Sequence, residues 1–150
     1  LSQDFSGRRE DAAGVIESAA QVEALIAREI ARGIPDSRIV LAGFSQGGAI
    51  ALHTALRHPN RLAGVLALST YLPLADTLAG EASEANRDVP IFMAHGVADP
   101  VIPHDFARRS ADQLTAAGYP LAWKTYRMEH SLCLEEVRDI EDWLATVLAA

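Results

Sequence analysis

The sequence predicts one α/β domain, a mostly parallel sheet flanked by helices, and three observations carry that prediction. Short apolar runs of strand length alternate with longer segments whose apolar residues recur at three and four. The run Ile39-Val40-Leu41-Ala42-Gly43-Phe44 is apolar on both faces, as a strand inside a parallel sheet must be. It passes directly into Ser45-Gln46-Gly47-Gly48-Ala49 and a helical pattern, the strand-to-helix order of a right-handed crossover. With 150 residues, 49 % hydrophobic and 22 % charged, the chain has enough material for a single core.

Each element follows from its own pattern. Val15, Ala19, Val22, Ile26 and Ile30 mark an amphipathic helix from about Glu10 to position 32, stopped by Gly33 and Pro35. A strand over 39–44 and a helix over 46–57 follow, and the helix ends near Pro59. Positions 62–68 and 91–94 read as the second and third strands. Between them, 72–88 is a polar, alanine-rich excursion with room for a short helix. Pro103 opens another helix, closed by Gly118 and Pro120. A fourth strand spans 121–126, and Val137, Ile140, Leu144 and Val147 give the last helix its buried stripe. No repeat or low-complexity linker divides the chain, so 1–150 is read as one domain.

Composition narrows the function. A formal net charge of −7, with 13 basic residues and no basic cluster, argues against nucleic acid or an anionic membrane as partner. The longest apolar stretch, 62–74, is too short to cross a bilayer and is broken by Ser69, Thr70 and Pro73. Cys133 is the lone cysteine, so no internal disulfide forms, and a cytoplasmic location is expected.

Gly43-Phe44-Ser45-Gln46-Gly47 after a strand and before a helix is the pattern of a nucleophile elbow. The strand stops in a sharp turn, the serine sits at its tip in a strained conformation, and glycines two residues either side avoid the returning backbone. The Gln46 amide, at the helix N-terminus, points at a developing oxyanion. The alternative is a glycine-rich turn with a capping serine.

A serine nucleophile needs an imidazole to accept its proton and a carboxylate to orient that imidazole. In this architecture they come in the order serine, acid, histidine, in loops directly after strands. Asp99 lies after the third strand in His95-Gly96-Val97-Ala98-Asp99-Pro100, and His130 after the fourth in Met128-Glu129-His130-Ser131. Against these stand a plain turn for Asp99 before Pro100 and an ordinary loop histidine. His53 and His58, on or just after the elbow helix, suit solvated or capping roles, His104 begins a helix, and His95 reads as a structural hydrogen-bonding group near the acid loop. Asp76, Asp88, Asp105 and Asp112 suit surface or helix-start positions. His95, Asp99 and His104 lack a metal-ligand spacing, and neither a metal nor an organic cofactor is expected.

These residues resemble the phospholipase/carboxylesterase group of α/β-hydrolases, which includes bacterial carboxylesterases and acyl-protein thioesterases. Gly33-Ile34-Pro35, the run over 38–49, Leu68-Ser69-Thr70-Tyr71-Leu72-Pro73, His95-Gly96 with Asp99-Pro100, and His130-Ser131 look like that family's segments in order. The resemblance implies Ser45 as nucleophile, Asp99 as orienting acid, His130 as base and the Gln46 amide as one oxyanion donor. It also implies an acyl pocket bordered by Phe44, Tyr71, Leu72 and Leu74. Family members look longer at the N-terminus, where early strands and a His-Gly loop supply a second oxyanion donor. The chain is therefore expected to be the C-terminal portion of an α/β-hydrolase fold, to pair through its 39–44 edge with a second copy or with the missing part, and to lose about 10² to 10³ in turnover without that donor.

The expected activity is hydrolysis of short- to medium-chain acyl esters, small-molecule substrates, through a serine acyl-enzyme. The alternatives are a thioesterase or lysophospholipase acting on longer acyl groups, and a catalytically impaired fragment.

Overall fold

The computed structural model describes residues 11–149. Helix α1 (Ala12–Ala31) starts on Asp11, whose carboxylate accepts the Gly14 N–H at 2.9 Å. It ends in a Schellman turn: Gly33, at φ 99°, donates to the Ile30 carbonyl, and Ile34 donates to Glu29. The expected first residue, Glu10, lies outside the described residues. Val15 and Ile26 are buried but Ile30 is exposed, so the apolar stripe engages the core only partway along the helix.

Strands β1 (Val40–Phe44), β2 (Gly64–Leu68), β3 (Ile91–Gly96) and β4 (Leu121–Tyr126) form a parallel sheet in sequential order. Helices α2 (Gln46–Arg57), α3 (Ala75–Glu81) and α4 (His104–Ala116) fill the connections, α3 being the short helix of the 72–88 excursion, and α5 (Leu134–Val147) follows β4. Gly118 closes α4 as Gly33 closes α1, with Gly118 donating to Thr115 and Tyr119 to Leu114.

Side-chain alternation along the strands sorts two cores. Leu41, Val65, Ala67, Ile91 and Met93 pack with Leu52, Leu56, Ala111 and Leu114 on one face. Leu66, Leu68, Phe92, Ala94 and Tyr126 face the other way, against Ile140 and Trp143 of α5. Each fully buried Leu or Ile contributes about 1.5 to 3 kcal/mol against the entropy of ordering the chain. Helices on both faces explain why β2 and β3 are apolar at successive positions.

The last helix keeps Ile140, Leu144 and Val147 of its expected stripe on the inward side but not Val137. Val137 is 45 % exposed, whereas Glu136 is fully buried, followed inward by Ile140, Trp143, Leu144 and Val147. Glu136 occupies the third helical position, from which a carboxyl reaches back towards the N-cap amide of Cys133. Burial raises its carboxyl above the usual range while that amide pulls the other way, and neither oxygen completes a hydrogen bond among the described residues. A polar side chain thus takes the inward place that the apolar pattern assigned to Val137.

Among the described residues β1 pairs on one side only, and beside it lies an apolar groove of about 390 Å³ lined by Val22, Leu25, Ile26, Ile39 and Ala51. No described helix is long and apolar enough to cross a membrane.

Candidate active site

Ser45 stands where β1 turns into α2, at φ 57° and ψ −122°, a conformation that only a surrounding structure can impose on a non-glycine residue. The turn is held from several sides. The Ser45 N–H donates to Leu68 on β2 at 2.8 Å, and its carbonyl accepts from Thr70 Oγ1 at 2.6 Å and from Gly48 N–H at 3.0 Å. Its hydroxyl caps nothing, although Ser45 is the N-cap residue, which leaves Oγ for other use.

The glycines divide differently from the motif's symmetry. A Cβ on Gly43 would lie 2.2 Å from the Gly47 carbonyl, and one on Gly48 would lie 2.7 Å from Thr70 Cγ2, whereas one on Gly47 would meet nothing within 4 Å. The close approach therefore requires Gly43 and Gly48, correcting the expectation for Gly47. In the first turn of α2 a side chain at position 47 projects away from the turn, not into it.

Asp99 follows β3 with its side chain fully buried. Oδ1 accepts the N–H groups of Val101 and Ile102 at 2.8 and 2.9 Å, so the turn role weighed for Asp99 is present together with a second one. Oδ2 lies 2.7 Å from His130 Nδ1, and His130 Nε2 lies 2.9 Å from Ser45 Oγ. Since a carboxylate only accepts, Nδ1–H donates to it, leaving the Nε2 lone pair for the serine hydroxyl. The structure thus brings Ser45, His130 and Asp99, up to 85 positions apart, into one hydrogen-bonded line.

Two loops must meet to make that line. Gly96 is the point of closest contact, where a Cβ would stand 2.2 Å from the carbonyl oxygens of Met128 and Glu129. Ala98 N–H also donates to the Met128 carbonyl at 3.2 Å. The requirement for glycine in His95-Gly96 was not evident in the sequence, because it comes from a segment more than thirty positions away.

The profile of the family described as Phospholipase/Carboxylesterase matches residues 1–148. The chain belongs to that family. Acyl-protein thioesterase 1 of Neurospora crassa is 47 % identical over 140 residues, 91 % of this chain and 57 % of that protein. The protein of the same name from Mycosarcoma maydis is 40 % identical over 160 residues, 98 % of this chain and 66 % of its own length. The chain thus spans somewhat less than two thirds of these relatives. Among solved structures, Arabidopsis thaliana SOBER1 superposes with a TM-score of 0.91 at 29 % identity, over 97 % of this chain and 70 % of that one. Zea mays acyl-protein thioesterase 2 gives 0.82 at 30 % identity, over 99 % and 69 %. The fold is that of the α/β-hydrolases.

The remaining expected site residues of this phospholipase/carboxylesterase chain are dispersed. Phe44 is 38 % exposed and its ring centroid lies 4.8 Å from that of His130. The backbone N–H of Gln46 is the first of α2, where no preceding turn supplies an acceptor. Tyr71 is buried with its ring against Phe106, and Leu72 sits in the main core. Leu72 also borders two cavities of about 410 and 630 Å³ along α3 and α4, and neither is lined by Ser45 or His130. Leu74 is the N-cap residue of α3, at φ 49°.

Of the solvated or capping roles expected for His53 and His58, capping holds for His58, whose N–H donates to the Ala55 carbonyl at the end of α2, but neither side chain is solvated. His53 is buried on α2, and burial pulls its imidazole below the ordinary value, with Arg57 adding to the effect. His58 does follow the C-terminus of α2, but it is buried with Nδ1 2.9 Å from Glu23 and Nε2 2.6 Å from Asp36. His53 lies near Arg57 and Glu81 of α3 and His58 against Glu23 of α1 and Asp36, neighbours that the pattern of α2 alone does not reveal. Asp105 and Asp112 are exposed on α4 and Asp88 pairs with Arg61, as their positions suggested.

Proposed function

We propose that this chain is a serine carboxylesterase for short- to medium-chain acyl esters, working through an acyl-enzyme on Ser45. The observation that carries the proposal is the line from Asp99 through His130 to Ser45, with both links at 2.9 Å or less. His130 Nε2 takes the proton of Ser45 Oγ as that oxygen adds to the acyl carbonyl, and Asp99 stabilises the imidazolium that forms. The Gln46 amide faces the developing oxyanion at the positive end of α2. Collapse breaks the bond to the leaving alkoxide, which takes the proton from His130. Water then attacks the serine ester, gives its proton to His130, and the proton returns to Ser45 as the carboxylic acid departs.

Phe44 is the pocket residue assigned nearest the reaction, since its ring lies 4.8 Å from that of His130. A second reading, hydrolysis of acyl thioesters, is favoured by the names of relatives 39 to 47 % identical. The same relay serves both, because only the leaving atom differs. Hydrolysis of nitrophenyl acetate, nitrophenyl decanoate and an acyl thioester, with Ser45→Ala as control, separates them. Ser45-dependent turnover highest on the acetate supports the carboxylesterase, and preference for the thioester supports the second reading. Turnover that survives Ser45→Ala overturns both.

We also infer that the open edge of β1 and its apolar groove pair this chain with a second copy of itself. Ladder groups that pair with no described strand, beside exposed Leu25 and Phe44, are what strand addition buries.

A further inference from the structure

We propose that His95 is a positioning residue of this site, a second imidazole that fixes the Asp99 carboxylate without touching substrate. The proposal rests on the reading of Ser45, His130 and Asp99 given above. His95 is the penultimate residue of β3, its side chain 1 % exposed, and its Nε2 lies 2.8 Å from the Ile102 carbonyl. A carbonyl only accepts, so Nε2 carries the proton. The same Nε2 stands 3.4 Å from Asp99 Oδ2, while the Ile102 N–H donates to Asp99 Oδ1. His95 therefore acts on the carboxylate by holding Ile102, the residue whose own N–H binds Oδ1, while its Nε2–H, given to the Ile102 carbonyl, stands beside Oδ2.

The ring has no freedom to do otherwise. It stacks on Trp123 at 6.3 Å with planes 14° apart, and the His104 ring stands 6.2 Å away. Nδ1 is buried without a hydrogen-bond partner among the described residues, which fits a lone pair and not an N–H. Burial lowers its imidazole below the ordinary value, opposed by the Ile102 carbonyl and Asp99 and reinforced by His104 and His130. A neutral His95 orients Asp99 yet leaves the carboxylate charge for His130, which an imidazolium at this place would compensate instead.

Two variants and one measurement on the wild type test this. His95→Gln keeps an N–H donor at the same reach, and His95→Phe fills the space and keeps the stacking without one. On nitrophenyl acetate, kcat of His95→Phe is expected to fall about tenfold to a hundredfold with KM within about twofold, and His95→Gln to recover most of the loss. A His95→Phe enzyme of unchanged kcat, or a His95→Gln enzyme equally impaired while both melt like wild type, overturns the proposal. Nitrogen NMR of the wild type tests it without variants: His95 is expected neutral and protonated on Nε2 above about pH 6.5, and protonation on Nδ1 or an imidazolium there overturns it. If wild type has no Ser45-dependent turnover, the serine reading fails alone. The low-field proton of the His130–Asp99 bond then reports on His95, expected sharp in wild type and His95→Gln and broadened in His95→Phe; equal sharpness in all three overturns the proposal.

Discussion

Asp99 holds His130 with one carboxylate oxygen only: Oδ2 lies 2.7 Å from His130 Nδ1, while Oδ1 is committed to two backbone N–H groups of its own loop. The acid is therefore both a turn-former and an orienting group. Asp99→Asn leaves Oδ1 for the loop but presents an amide N–H to His130 Nδ1, which forces the wrong tautomer. The expected fall in kcat is about 10³ to 10⁴ with little loss of stability, read by ester hydrolysis and a thermal melt. An Asn variant within tenfold of wild type contradicts this role.

The elbow glycines give a prediction opposed to the symmetry of their motif. Gly43→Ala drives a methyl into the Gly47 carbonyl and is expected to cost about 3 kcal/mol, whereas Gly47→Ala meets open space in a helical turn and is expected within about 1 kcal/mol of wild type. Urea unfolding of the two variants compares them directly. Equal destabilisation disproves the assignment.

His58 predicts a pH dependence of stability. Burial pulls its imidazole down, but hydrogen bonds to Asp36 and Glu23 outweigh that and raise it above the ordinary value, while Asp36 is lowered chiefly by His58. A raised imidazole stabilises the fold fully below its unfolded value near 6.5 and loses that contribution as pH rises through the folded value. A lowered carboxylate stabilises above its unfolded value near 3.9 and loses it as pH falls through the folded value. The staple between α1, α2 and the turn at 36–38 is thus strongest from about pH 4 to 6.5. The melting temperature is expected to fall from pH 6 to 8.5 in wild type and to change less in His58→Gln. Parallel curves for the two proteins would refute it.

The β1 edge predicts concentration-dependent association. Sedimentation of wild type is expected to show a dimer that Leu25→Lys with Val40→Lys weakens at least tenfold, since charges on an apolar edge oppose strand addition. A wild-type monomer at all concentrations contradicts self-pairing.

Much of this molecule was legible in the sequence because its patterns are local. Short continuous apolar runs and period-3.6 patterns placed the strands and helices, Gly33 and Gly118 marked helix ends, and chain order pointed to the Asp99 and His130 that lie in one line with Ser45. What was not legible depends on contacts between distant segments. Glu136 took the inward face of α5 from Val137, His53 and His58 were buried by neighbours their own helix does not reveal, and Gly96 is required by the His130 loop. The place of Leu72 in the main core likewise follows from packing of α3 and α4, to which the apolar character of its loop is blind.

The central claim is that Ser45 is a nucleophile activated by His130. Labelling with a fluorophosphonate, followed by peptide mass spectrometry, tests it most directly. A single adduct on Ser45 is expected, formed at least a hundredfold more slowly in His130→Ala and absent in Ser45→Ala. An unlabelled wild type of native fold, or an adduct on another serine, contradicts it.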